Sequence, residues 1–247
     1  MRDWLVAQAK KHTDSVRTQE LSHVWSTTGK TVKMFNVVAD MEFGAKKTVL
    51  LLAHWDTRPT ADEDTDPAKR KKPILGANDG ASGVAVLLEL MRAFKEKPPP
   101  VNVTFLFTDG EDLGPDLDEM FLGAEHFAKS APPGRYAYGI LLDMIGDKNL
   151  VIEKEQYSIY YARNLVDRFW LNARRIGLSR HFPDRSGTWI ADDHLALNAR
   201  GIPTIDLIDF DYPYWHTTAD TDDKCSAESL EVVGRAVESF LRNEKGR

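Results

Sequence analysis

The stretch "KTVLLLAHW" at residues 47–55 decides the fold class, because it is a mostly apolar run of strand length with no turn-forming residue in it. Four other segments share this β-branched and mostly apolar character, at residues 33–40, 101–109, 138–146 and 202–210. Near-continuous apolar strands are typical of the inner strands of a sheet that is covered on both faces. The sequence therefore predicts a central sheet with helices on either side.

Segments with helical spacing lie between the predicted strands. In "SGVAVLLELMRAF" at residues 82–94, the apolar residues recur at the spacing of an amphipathic helix. We expect further helices at residues 2–12, 121–130, 158–177 and 192–200, and from Ser226 onward. Alternating strands and helices predict an α/β fold: a three-layer sandwich with a central mixed, mostly parallel sheet flanked by helices. We expect a single domain over residues 1–247.

Composition narrows the classes of function. Hydrophobic residues make up 42% and charged residues 28% of the chain, which is usual for a globular protein. The formal net charge is −6, so a nucleic-acid backbone would be repelled and is not expected as a partner. The longest apolar stretch, at residues 48–53, is too short to span a membrane, and residues 1–12 lack the apolar region of a signal peptide.

Cysteine usage restricts the chemistry of any metal site. The chain has one cysteine, Cys225, so it can form no internal disulfide and no multi-cysteine zinc site. A metal would have to be held by His, Asp or Glu. Motifs for a nucleophile elbow, a Walker loop or an HExxH helix are also absent from the sequence.

The segment "RPTADEDTDPAKRKKP" at residues 58–73 is almost wholly polar, with a run of acids followed by a run of bases. We call it the polar loop. One interpretation is a solvated surface loop, which is how most loops behave. The other is a rim for a nearby site, because long loops without secondary structure are uncommon in compact domains. The sequence leaves both open.

Potential metal ligands and acids follow the predicted strands, where the loops leave the sheet. They are His54 in "AHWD", Glu111 and Asp112 in "TDGED", Asp143 in "LLDMIG", His216 in "DYPYWHTTAD", and Asp79 in "GANDGASG" before a helix. In open α/β sheets, ligands bind at the carboxyl ends of the strands. A site of oxygen and imidazole ligands at this edge is therefore predicted. Zinc accepts that mixture, and iron or manganese would be compatible.

Each of these residues also has an ordinary explanation. Asp79 could cap the helix that follows it, since Asp is a preferred N-cap residue. Asp109 and Asp112 could be turn residues whose side chains bond their own backbone. His54 could be a half-buried histidine with satisfied hydrogen bonds. The metal-site hypothesis depends on these side chains converging on one edge of the sheet.

Six segments together resemble a known family. In chain order they are "AHWDTRP", "GANDGASGVAVLLELMRAF", "FTDGEDLG", "LLDMIGD", "ADDHLALNARGIPTIDLI" and "YPYWHTTADT". They resemble the M28 metallopeptidase clan and, within it, the animal-type glutaminyl-peptide cyclotransferases of bacteria. The similarity runs from about residue 33 to the C-terminus. It implies an enzyme that converts the N-terminal Gln of a peptide or protein into pyroglutamate and releases ammonia.

The resemblance also implies a role for each residue that matches its motifs. One zinc ion would be held by Asp79, Asp112 and His216. Glu111 would be the acid/base, with Asp143 and Asp192 orienting the substrate and the transferred proton. Trp215 and His54 would contact the substrate. Asp112 departs from the pattern, since most animal cyclases have Glu there, so the shorter side chain must bring its backbone closer or bind differently.

Two other functions stay open. The aminopeptidase branch of the same clan uses two zinc ions bridged by the residue matching Asp79, with His54 and Asp143 completing the second metal's ligands. A catalytically silent binding module of the same fold is a further alternative, although such relatives have lost ligands that this chain retains. Trp215 beside His216 and the "DDH" at residues 192–194 favour the cyclase.

Family members usually carry a helical segment before the one that resembles residues 2–12. We therefore expect a truncated N-terminus here. The resemblance further implies a periplasmic or secreted location, and we expect a monomer.

Overall fold

The computed structural model describes residues 1–245 of the 247-residue chain. Its strands are β1 (Val16–Trp25), β2 (Lys30–Met41), β3 (Thr48–His54), β4 (Asn102–Thr108), β5 (Tyr138–Asp143) and β6 (Thr204–Ile208). Its α-helices are α1 (Arg2–Ala9), α2 (Ala81–Glu96), α3 (Leu122–Ser130), α4 (Gln156–Arg175), α5 (His194–Asn198) and α6 (Ala227–Arg242).

All six of these strands form one sheet in the order β1-β2-β4-β3-β5-β6. The pairs β1–β2 and β2–β4 are antiparallel, whereas β4, β3, β5 and β6 run parallel to one another. The predicted mixed, mostly parallel sheet is therefore confirmed.

Helices cover both faces of this sheet. Leu51 and Ala53 of β3 pack into a core with residues of α2, α4 and α6. Their neighbours Leu50 and Leu52 point the other way and pack with residues of α3 and α5. Alternate residues of one strand thus enter two cores, which is why the strand is apolar throughout. The predicted three-layer sandwich is confirmed.

Strand β1 is not among the strands predicted from the sequence. Its residues are intermediate or exposed along its whole length, and its sequence, "VRTQELSHVW", is mostly polar. β1 pairs only with β2, at the edge of the sheet, from Val16 opposite Ala39 to Trp25 opposite Lys30. An edge strand buries little side-chain area, so it does not produce the continuous apolar run that marks an inner strand.

The helices lie where the spacing predicts them, with small differences at the ends. α1 ends at Ala9 and α5 covers only 194–198, so both are shorter than predicted. Ser226 caps α6, because the backbone N–H of Ser229 donates to Oγ of Ser226 at 3.1 Å. Within residues 1–245, none of the helices has the length and apolar character needed to cross a bilayer.

Candidate metal centre and active site

Parallel strands bring the candidate residues to one edge of the sheet. β3 ends at His54, β4 at Thr108 and β5 at Asp143, and the loop after β6 carries His216. Because these strands run in the same direction, their carboxyl ends and the loops that follow share that edge. Among the described residues there are three groups of potential metal ligands: two form at this edge with Asp79 common to both, and the third consists of Asp192, His194 and Asp206.

The first group consists of Asp79, Asp112 and His216, whose ligand atoms lie within 4.8 Å of one another. Nε2 of His216 is 3.1 Å from Oδ1 of Asp112 and 3.4 Å from Oδ2 of Asp79. All three side chains are buried. Within the described residues, Oδ2 of Asp79 and both carboxylate oxygens of Asp112 lack a hydrogen-bond partner. Buried carboxylates need a compensating charge, so this donor set fits a divalent cation such as zinc.

The second group consists of His54, Asp79 and Asp143. Nε2 of His54 lies 3.0 Å from Oδ1 of Asp143 and 3.2 Å from Oδ1 of Asp79. Here the imidazole and the carboxylate of Asp143 form a hydrogen bond with each other. In this group, Oδ1 of Asp79 and Oδ1 of Asp143 lie beside Nε2 of His54, whereas the unpartnered Oδ2 of Asp79 faces His216 of the first group.

Asp79 owes its position to the backbone of its turn. The N–H groups of Asn78 and Asp79 donate to the carboxylate of Asp220 at 2.9 and 3.2 Å. Helix α2 has Gly80 as its N-cap and no side-chain cap bond. The ordinary explanation of Asp79 as a helix cap is therefore wrong, and its carboxylate faces the two histidines.

The shorter acid at position 112 still reaches the first group. The backbone N–H of Asp112 donates to Oδ2 of Asp56 at 3.1 Å, and that of Glu111 lies 3.3 Å from Oδ1 of the same carboxylate. Asp56, which follows β3, thus links the loop after β4 to the loop after β3. This places the Asp112 carboxylate beside His216.

The three acids of "DGED" at residues 109–112 have different surroundings. Oδ2 of Asp109 accepts a hydrogen bond from the backbone N–H of Phe35 at 2.7 Å, so Asp109 ties β4 to β2. Gly110 has φ of 74° and lies against Met34, whose Sδ would be 2.3 Å from a Cβ at this position. Only glycine fits that turn without strain. The turn places Glu111 and Asp112 at the edge of the sheet where the ligand groups that share Asp79 lie. We call this edge the metal edge.

Glu111 is the acid best placed for proton transfer. Its side chain is buried, and Oε2 lies 3.7 Å from Nδ1 of His54. Burial raises its pKa well above the usual range, and the charges of Asp112, Asp192 and Asp193 raise it further. A carboxyl group with a raised pKa is suited to general acid/base work.

Asp192 lies in the segment before α5 and is also buried. Burial, followed by the charges of Asp143 and Asp193, raises its pKa well above the usual range. Its Oδ2 has no hydrogen-bond partner among residues 1–245. Together with Asp143, it supplies carboxyl groups next to Glu111 that a bound amine or amide can contact.

Trp215 forms an apolar wall beside the first group. Its ring stacks on the His216 ring, with centroids 3.9 Å apart, and contacts Phe210 at 5.2 Å. It also packs against the buried cluster of Met144, Ile190, Ile208 and Tyr212. His216 itself adopts a left-handed backbone, with φ of 51°.

Comparison with known proteins places this geometry in a family. The model of peptidase family M28 matches residues 36–241. This chain belongs to peptidase family M28. The family resemblance inferred from the sequence motifs is thereby confirmed.

Proteins similar to this chain include glutaminyl cyclases and a Zn-dependent exopeptidase. A mouse glutaminyl-peptide cyclotransferase-like protein is 26% identical over 85% of this chain and 61% of its own length. The structure of a Bacteroides thetaiotaomicron glutaminyl cyclase bound to N-acetylhistamine is 35% identical, with a TM-score of 0.94, over 99% of this chain and 89% of that one. A Zn-dependent exopeptidase from Parabacteroides distasonis is 35% identical, with a TM-score of 0.93, over 98% and 89%. The chain spans 61% of the length of the mouse relative.

Membership of the M28 family and these neighbours imply a metal of the zinc type. The residues of the first group fit such an ion on their own geometry, because they offer two carboxylates and one imidazole with unpartnered oxygens. Catalytic zinc sites combine three protein ligands of this kind with an open position.

Several residues of the site were not singled out by the sequence analysis. Asp56 and Asp220 hold the loops of the two groups, and Asp206 lies fully buried inside β6. An acid in the apolar strand "TIDLI" is a signal that could have identified Asp206. Asp56 and Asp220 resemble ordinary turn residues in sequence, and only the loop paths reveal their role.

Proposed function

We propose that this chain is a metal-dependent glutaminyl-peptide cyclotransferase that acts on the N-terminal Gln of peptides or proteins. In this reaction the α-amine attacks the γ-carboxamide carbon, a C–N bond closes the ring, and the original amide C–N bond breaks to release ammonia. No water is consumed. The observation that carries the proposal is the ligand group of Asp79, Asp112 and His216, in which Asp79 and Asp112 have unpartnered carboxylate oxygens, set beside the indole of Trp215.

Asp79, Asp112 and His216 would hold one zinc ion. When bound, the ion supplies Lewis-acid polarisation of the γ-carbonyl oxygen of the substrate. The hydrogen bond between His54 and Asp143 favours one ion over two, since those side chains already satisfy each other.

Glu111 would move the proton. The attacking amine must lose a proton and the departing amide nitrogen must gain one, and a single carboxyl group between them can do both. The buried position raises the pKa of Glu111, which makes its carboxylate a stronger base toward the amine proton than an exposed carboxylate.

Asp143 and Asp192 would orient the amine and amide nitrogens through hydrogen bonds, because both offer carboxyl oxygens beside Glu111. The imidazole Nε2 of His54 donates to Oδ1 of Asp143 at 3.0 Å and so fixes that carboxylate. Trp215 would pack on the aliphatic part of the Gln side chain and limit the entry of water. One chain carries every residue that this scheme uses, so we propose a monomer.

A di-zinc aminopeptidase is the second candidate. The second ligand group of His54, Asp79 and Asp143, together with the Zn-dependent exopeptidase neighbour, favours it. Glu111 would then act as the base for hydrolysis of the first peptide bond.

One assay separates the two candidates. The purified chain, loaded with zinc, is incubated with the dipeptide Gln-Ala and separately with a leucine anilide, and bound metal is counted by mass spectrometry. The cyclase produces ammonia and pyroglutamyl-alanine, with one zinc per chain. Release of aniline or free amino acids with two zinc ions per chain would establish the aminopeptidase instead.

A further inference from the structure

The polar loop contains a partly buried ion pair next to the first metal group. Nε and Nη2 of Arg58 both donate to Oδ2 of Asp62, at 2.9 and 2.6 Å. Arg58 is only 7% exposed although it is a charged loop residue. The pair uses one oxygen of Asp62 and two nitrogens of Arg58, so one atom of each side chain is left over.

The two remaining atoms face two of the metal-group residues. Oδ1 of Asp62 lies 3.6 Å from Nδ1 of His216, and Nη1 of Arg58 lies 3.8 Å from Oδ1 of Asp112. Both atoms are buried and have no hydrogen-bond partner within the part of the chain that the structure describes. Since buried polar atoms are rarely left unpaired, these two indicate a function that depends on His216 and Asp112.

The backbone holds the ion pair in this place. The N–H of Glu63 donates to the carbonyl oxygen of His216 at 3.3 Å. Asp64 accepts hydrogen bonds from the backbone N–H and the hydroxyl of Thr218, at 3.1 and 2.7 Å. The loop is therefore held against the segment that carries His216, at His216 itself and at Thr218 two residues further on.

Gly114 makes room for the guanidinium group on its other side. A Cβ at this position would lie 1.8 Å from Nη1 of Arg58, so any larger residue would displace the side chain. The loop after β4 and the polar loop thus fit together around Arg58.

We propose that Arg58 and Asp62 are positioning residues for the metal site. Asp62 accepts the Nδ1–H of His216, which fixes the tautomer that leaves Nε2 free to face Asp79 and Asp112. Arg58 holds Asp62 in place and balances charge beside Asp112. A shift of about 0.5 Å brings the contact between Asp62 and His216 into hydrogen-bond range. The inference rests on the proposed function only in assuming that the first group binds a metal.

Carboxylates that bond the non-ligating nitrogen of a metal histidine orient the ring and raise its basicity. Their loss typically weakens metal binding by about 10- to 100-fold. Asp62 occupies that position relative to His216, although it comes from a loop that looks like solvated surface in sequence.

The experiment measures zinc affinity by competition with a chromophoric chelator for the parent chain and three variants. Asp62→Ala is expected to weaken zinc binding by about 10- to 100-fold. Asp62→Asn, whose amide oxygen can still accept the Nδ1–H, should lose less. Asp66→Ala is the matched control, because Asp66 is an exposed acid of the same loop that bonds the backbone of Ala68. It should keep the parental affinity.

A spectroscopic measurement separates positioning from general loss of structure. With Co²⁺ in place of zinc, Asp62→Ala should alter the visible d–d bands, whereas Asp66→Ala should not. Arg58→Lys keeps the charge but loses the contact through two nitrogens, so it should also weaken zinc binding.

The outcomes distinguish this inference from the proposed activity. Zinc affinity of Asp62→Ala within threefold of the parent, or an equal loss in Asp66→Ala, would overturn the positioning role. A parent chain that binds zinc and yields no ammonia from Gln-Ala, with weakened binding in Asp62→Ala, would end the proposed activity and support the positioning role. A parent chain that binds no zinc would overturn both.

Discussion

Buried carboxylates lie in two contrasting environments in this molecule. At the metal edge, Asp79, Asp112 and Asp192 each have at least one oxygen without a hydrogen-bond partner in the described residues. Elsewhere, Glu155 accepts from the backbone N–H groups of Tyr157, Ser158 and Ile190, at 2.7, 2.6 and 3.1 Å. Burial is similar in the two environments, so burial alone does not identify a functional acid.

Glu244, near the end of α6, belongs to the second environment. Its carboxylate accepts from Nζ of Lys47 at 2.7 Å and from the hydroxyl of Tyr138 at 2.9 Å, and it also pairs with Arg168. Every donor around it is either charged or held in place by secondary structure.

The pKa values of the two sets shift in opposite directions. Burial raises the pKa of Asp112, and the neighbouring charge of Asp79 raises it further. Burial would also raise the pKa of Glu155, but the hydrogen bond and charge of His194 and the backbone donors outweigh it, so the pKa is lowered. The pKa of Glu244 is likewise lowered, because Lys47 and Arg168 outweigh burial.

The opposite pKa shifts indicate which buried acids stabilise the fold and which serve a function. An acid with a full set of donors stabilises the folded chain as an anion. An acid with unpartnered oxygens and a raised pKa destabilises the folded chain until a cation or a proton arrives. Substitutions in the two environments should therefore change the stability of the metal-free chain in opposite directions.

The largest expected effect is on catalysis, in Glu111→Gln. Removal of the proton-transfer group should lower kcat for Gln-Ala by about 100- to 10,000-fold. Zinc content should stay at the parental level, because Glu111 is not one of the first group's ligands. The metal-free variant should be at least as stable as the parent, since one buried acid with a raised pKa has been neutralised. Ammonia release, metal analysis and thermal unfolding measure the three quantities.

Glu244→Gln is the matched control for that substitution. It changes the same functional group at the opposite kind of site, so it should leave kcat unchanged and lower the unfolding temperature. Parental kcat in Glu111→Gln would remove Glu111 from the mechanism.

The second effect is on stability, in Glu155→Gln. This change replaces an anion that accepts three backbone hydrogen bonds and caps helix α4. It should lower the free energy of unfolding by about 2–3 kcal/mol, since hydrogen bonds to charged groups are the stronger ones. Urea unfolding measures it. Glu153→Gln, in the neighbouring and more exposed position, should change stability much less.

The sequence predicts the acids of the metal edge better than their partners. His54 and Asp143 end apolar strands, and Glu111 and Asp112 lie in the loop after one, so parallel pairing brings all four to one edge of the sheet. The same reasoning finds the inner strands, which must be apolar on both faces, and misses β1, which need not be.

The supporting residues depend on loop paths that no periodicity encodes. Asp56 accepts a hydrogen bond from the loop after β4, Arg58 approaches Asp112, and Asp62 approaches His216. All three nevertheless lie close to His54 in sequence. Asp62 in particular belongs to a run of charges that is typical of solvated surface. Its contact with the site requires the loop to fold back over the sheet edge.

The third effect concerns the wall that screens the metal edge, in Trp215→Ala. Loss of the indole removes the packing on His216 and Phe210 and admits water beside the acids. KM for Gln-Ala should rise by about 10-fold, as expected for the loss of one aromatic contact. Zinc content should be unchanged. An unaltered KM would show that the indole does not contact the substrate.

The smallest expected effect is on the pH dependence of the free energy of unfolding, in Glu244→Gln. Because the pKa of Glu244 is lower in the folded chain than in the unfolded one, its stabilisation is present above the unfolded value of about 4.3. It is lost as the pH falls through the folded value. The free energy of unfolding of the parent should therefore exceed that of the variant by about 1 kcal/mol at pH 7, in line with a net hydrogen-bond contribution. This difference should shrink below about pH 4.

Urea unfolding of both chains at pH 7, 5 and 3.5 tests this prediction. The acids of the metal edge should contribute in the opposite sense, because their raised pKa values make the metal-free chain relatively more stable as they take up protons. A difference between parent and Glu244→Gln that grows as the pH falls would contradict the lowered pKa. In that case Glu244 would belong with the unsatisfied acids, and hydrogen-bond partners would not distinguish the two environments.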